Sequence, residues 1–108
     1  MEIVNALSLQ MLENGFERGN LFIVKIGANT AAHILRRRGV ESYIGHKVTA
    51  NVLSNLLNIN ISCERRALHL VKNKTVMVAQ LTGGRLPEGC TELPQDCKFE
   101  FYLVTLRD

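Results

Sequence analysis

Apolar positions change period near the middle of the chain. In the first half, Val48, Val52, Leu53, Leu56 and Leu57 recur at helical spacing and predict a helix opening at His46. Ala31, Ile34 and Leu35 predict an earlier helix, capped by Asn29 or Thr30 and running to Arg38. Residues 3–7 read as a short strand, 8–12 as a helical turn or loop, and Tyr43-Ile44 as a brief extended piece. Residues 21–26 are almost continuously apolar, the pattern of a strand covered on both faces. The second half shifts to a period of two. Residues 66–71 and 75–81 read as strands joined by the tight link Lys72-Asn73-Lys74, and 99–106 as a last strand. Pro87, Gly89 and Pro94 mark a loop over 83–98. The expected fold is α/β: one domain over residues 1–108, a mixed β-sheet flanked by helices.

Composition narrows the function classes. A chain of 108 residues holds one core and no second domain. No apolar run approaches the roughly 20 residues a spanning helix needs, and the first residues lack the order of a signal peptide. A cytoplasmic location without membrane attachment is expected. The three cysteines form no CxxC pair, and their odd number favours reduced thiols, although Cys90 and Cys97 could lie close together. A net charge of +3 suits an anionic partner without demanding one. Much of it is Arg36-Arg37-Arg38, where cations complement a helix end; no aromatic residues interleave to form a groove for long RNA.

Candidate chemistry starts at His46. The beginning of a helix presents free N–H groups and the positive end of its dipole, which together accept a phosphate. A titratable imidazole there suits phosphodiester cleavage; a capping or surface histidine is the alternative. In the loop, Arg85 and Glu88 stand three apart between glycines, able to present a guanidinium to phosphate oxygens and a carboxylate to an imidazole. An exposed ion pair is the competing account. Asn5 and Gln80 interrupt apolar strands and need partners if buried, as satisfied core amides or as ligand contacts. His33 and His69 have no neighbours suited to chemistry. No residues show the spacing of a zinc or magnesium site, and Walker, GxSxG and GxGxxG motifs are absent, so no cofactor is expected.

Five motifs occur in one order: Asn5-Ala6-Leu7-Ser8; Ile44-Gly45-His46 with Thr49-Ala50; Arg66; Gln80-Leu81 with Arg85-Leu86-Pro87-Glu88-Gly89; and Phe101-Tyr102. Together they resemble the small viral anti-CRISPR ring nucleases of archaeal viruses and phages, which have bacterial relatives. The resemblance implies a two-fold homodimer that cuts cyclic tetra-adenylate, the messenger of type III CRISPR defence, with no metal. A ring of four nucleotides has two-fold symmetry, so an isologous dimer offers each half the same contacts. It also implies roles: His46 as general acid, Arg85 at the phosphate, Glu88 orienting the histidine, and Asn5, Ser8, Arg66 and Gln80 as ring-binding positions. Lys47 and Val48 replace an acidic and a small hydroxyl residue common in the family. Lys47 adds positive charge, and Val48 keeps only its backbone N–H for the ligand. A non-catalytic sponge for a cyclic oligonucleotide needs the same pocket, while a DNA- or RNA-binding protein is supported by charge alone.

Overall fold

Long runs that alternate between two faces can pair along their whole length, and the last two strands do so. β4 (Thr75–Thr82) and β5 (Lys98–Arg107) run antiparallel, from Thr75 opposite Thr105 to Thr82 opposite Lys98. In the computed structural model, which describes all 108 residues, three more strands complete a five-stranded mixed sheet. These are β1 (Glu2–Val4), β2 (Asn20–Ile26) and β3 (Glu41–Ser42), in the spatial order β2-β5-β4-β1-β3. β1 lies parallel to both β3 and β4, and β2 lies antiparallel to β5. Helices α1 (Ala28–Arg38) and α2 (Lys47–Leu57) cover one face.

The larger core lies beneath the helices. Ala31, Leu35, Val52, Leu53 and Leu57 pack there against Ile3, Met77, Ala79 and Phe101 of the sheet. The alternate residues of the same strands, Val4, Val76, Val78, Val104 and Leu106, form a smaller core on the other face with Leu68 and Leu70. α2 is the amphipathic helix its spacing predicts, and His46 is its N-cap. Asn58 ends it in the left-handed conformation at φ 54°, which asparagine tolerates better than most residues. The Arg36 guanidinium donates to the Leu57 carbonyl at 3.0 Å, so one of the three arginines ending α1 satisfies the end of α2.

Several expectations from sequence are corrected. β1 stops at Val4, and Asn5 to Leu7 leave the ladder. β2 is not covered on both faces: it is an edge strand whose Leu21, Phe22, Ile23 and Val24 remain 44, 49, 51 and 39% exposed. Its apolar run mimics a central strand, because four consecutive apolar residues do not reveal which face the rest of the chain covers. Residues 66–71 form no strand and no hairpin with β4. Their alternation arises because Leu68 and Leu70 bury against the sheet, and only Leu70 makes a bridge, to Leu12. The piece expected at Tyr43-Ile44 is β3, shifted to Glu41–Ser42. Gly27, without a side-chain bond, takes the place of Asn29 or Thr30 at the start of α1, where Ala32 is buried more deeply than Ile34.

Candidate active site

β1, β3 and β4 are mutually parallel, and β2 and β4 both run against β5. The carboxyl ends of these four strands therefore open on one edge of the sheet. That is the edge at which open α/β sheets take ligands. From it leave Asn5 after β1, the connection 43–46 after β3, and the loop 83–97 after β4. Fold topology thus brings His46, Lys47, Val48, Arg85 and Glu88 to one end of the molecule, with Asn5 beside them.

On the helix side of this edge the polar groups are uncommitted. His46 is exposed and makes no capping bond, and Lys47 beside it is exposed as well. Arg85 and Glu88 are exposed on their loop, and neither side chain is bonded to the other or to His46. Leu86, between them, packs against the helix-face core and anchors this stretch of loop on that side of the sheet. Further along, the Asn55 amide of α2 donates to the Thr91 carbonyl at 2.6 Å. The start of the loop has little freedom. Gly83 has φ +96°, and a Cβ there would meet the Asp96 carbonyl at 2.1 Å.

The connection that carries His46 is splinted from outside. Residues 62–66 run beside 42–45, joined by hydrogen bonds from Ser42 Oγ to the Ser62 carbonyl (2.6 Å) and from the Glu64 N–H to the Ile44 carbonyl (2.9 Å). Arg65 Nε donates to the Gly45 carbonyl at 3.2 Å, and Arg66 Nε to the Ser42 carbonyl at 2.9 Å. The Arg66 guanidinium also lies 4.2 Å over the Tyr43 ring. Arg65 escaped the sequence reading. The only signal was its adjacency to Arg66, because its contact with Gly45 spans 20 positions.

Other expected ligand residues fall elsewhere. Gln80 is exposed on the face away from the helices, opposite Glu100, and its amide donates to the Leu81 carbonyl. It is not the buried, partner-seeking amide expected; strict alternation along β4 turns it to the open face. Ser8 lines an apolar hollow with Leu70 and Leu106, and its hydroxyl accepts the Gln10 N–H while keeping its own O–H to donate. Arg66 stacks on the same side as Tyr43, which packs with the open-face core. Within the chain, therefore, the sheet separates Ser8, Arg66 and Gln80 from His46, Arg85 and Glu88. His33 and His69 are exposed.

The open face carries its own polar knot. Lys25, Lys98 and the Tyr102 hydroxyl all reach the Glu100 carboxylate. The hydrogen bond from Lys25, followed by those from Tyr102 and Lys98, lowers its pKa to about 2. Burial, then the neighbouring Asp96, pushes the Cys97 thiol up and keeps it protonated. No three His, Cys, Asp or Glu side chains gather as a metal-binding group, and no helix is long and apolar enough to cross a membrane.

Comparison with known proteins accords with this architecture. The fold is similar to that of B116 of Sulfolobus turreted icosahedral virus (STIV), with a TM-score of 0.77 and 20% identity over 96% of this chain and 97% of that one. No curated protein matches by sequence. The model of the STIV B116-like family matches residues 1–101, and the solved relative is a viral protein, which supports the viral part of the expected resemblance. The chain belongs to the STIV B116-like family.

Proposed function

We propose that this protein is a metal-independent phosphodiesterase that opens cyclic tetra-adenylate and thereby suppresses type III CRISPR defence. The observation that carries the reading is the convergence of His46, Arg85 and Glu88, all exposed and uncommitted, at the carboxyl edge of the sheet. A ribose 2′-oxygen attacks its adjacent phosphorus, forming the P–O2′ bond as the P–O5′ bond breaks. The 2′-proton passes to solvent, and His46 donates a proton to the departing 5′-oxygen. The products are linear, with a 2′,3′-cyclic phosphate and a free 5′-hydroxyl. Arg85 and the first N–H groups of α2, including that of Val48, take the charge on the phosphoryl oxygens, with Lys47 adding a cation. Glu88 orients the imidazole.

A homodimer suits both the ligand and the protein. The bare β2 edge and the apolar side chains around Ile23 favour a second copy. A ring lying across the two-fold axis would meet Asn5, Ser8, Arg66 and Gln80 from either protomer, which offsets the separation of Ser8, Arg66 and Gln80 from His46 within one. The second reading, a sponge that holds the ring intact, fits the same exposed cations. Incubation with cyclic tetra-adenylate in EDTA, followed by denaturation and chromatography, is expected to give linear cyclic-phosphate products. Intact ring recovered quantitatively would overturn the enzyme and leave the sponge.

A further inference from the structure

We infer that Arg65 is a positioning residue for His46, acting through the carbonyl of Gly45. This rests on the reading of His46 as the proton donor. The imidazole belongs to an N-cap without a side-chain capping bond; α2 holds this residue only from its carbonyl side, where the Ala50 N–H donates to the His46 carbonyl at 3.0 Å. The chain that leads into it is held across the splint. Arg65 spends Nε on the Gly45 carbonyl, one residue before His46, while the Glu64 N–H holds the Ile44 carbonyl just upstream. Arg66 and Ser42 tie the start of the same connection, so the chain from 42 to 45 is held at three successive points and His46 follows directly.

Arg65 is the member nearest His46 in sequence, and it is exposed, so its loss leaves the core intact. The donor is Nε, which stands where lysine has its Cε methylene, so a lysine keeps the charge but moves the donor one atom further out. Placement within a fraction of an ångström matters for proton donation, and a misplacement of about 1 Å can cost roughly 100-fold in rate.

The test compares Arg65→Ala and Arg65→Lys with the unmodified protein, using cyclic tetra-adenylate turnover and the NMR resonances of the three histidine rings. Both variants are expected to lower kcat about 10- to 100-fold with KM within about twofold. Combined with His46→Ala, neither should slow turnover further. The His46 ring signals should shift or broaden, while those of His33 and His69 stay in place. Full rescue by lysine, a rise in KM at constant kcat, or an unmoved His46 resonance would each overturn the inference. If the unmodified protein fails to cleave the ring, the functional reading fails instead, and the ring resonances still decide whether Arg65 positions His46.

Discussion

His46 and the Arg85–Glu88 pair reach the same edge of the sheet on very different mounts. The histidine ends a connection of residues 43–46 which, with Ser42 before it, is tied to a neighbouring strap by four hydrogen bonds and a stacked guanidinium. The arginine and glutamate ride on the loop 83–97, held by the Asn55 amide, by packing of Leu86, Cys90 and Leu93, and by its own turns at Pro87 and Pro94. A proton donor works best when preorganised, because reorganisation then adds nothing to the barrier. A cation that must close on a ligand benefits from a loop that can yield. On the proposed function, chemistry falls to the stiff arm and grip to the pliable one.

The largest expected effect probes the stiff arm directly. His46→Ala should cut single-turnover cleavage about 10²–10⁴-fold with ring affinity retained; a matching loss of affinity would place grip there as well. Arg85→Ala should weaken ring binding about 10- to 100-fold, the scale of one charge-assisted contact, in a filter-binding or calorimetric titration. Ser42→Ala removes the buried hydroxyl that donates to Ser62 and accepts the Ile44 N–H. It should cost about 1–3 kcal/mol in urea unfolding and lower kcat along with stability. Asn55→Ala cuts the side-chain tie between α2 and the pliable loop and should cost only about 0.5–1.5 kcal/mol, with KM moving more than kcat. A larger penalty at Asn55 than at Ser42 would dissolve the distinction between the arms.

Much of this was visible in the chain itself. The stripe from Val48 to Leu57 placed α2 and put His46 at its start, because helical spacing is local information. The two long strands were legible for the same reason, and strand polarity then sufficed to bring His46, Arg85 and Glu88 to one edge, though not Ser8, Arg66 or Gln80. What the sequence hid was non-local. Residues 66–71 alternate because they lie on a sheet, and alternation does not distinguish lying on a sheet from belonging to it. Gln80 read as buried because its neighbours are apolar, yet period two sends it to the side that the helices leave bare. The pairing of Arg65 with Gly45 joins two segments with no pattern in common.

Lys25 is the one charge between Leu21 and Ile26, on a strand whose outer backbone has no partner within the protomer. Unpaired apolar ribbons of this kind template fibrils, and a single lysine is a common gatekeeper against it. Glu100 holds that lysine across the ladder. Because the carboxylate titrates at about 2 rather than near 4.3, the tether is complete above about pH 4.3 and slackens only as pH falls toward 2. Replacing Lys25 with valine would leave six consecutive apolar side chains, and thioflavin fluorescence should then rise on standing where the native chain stays clear.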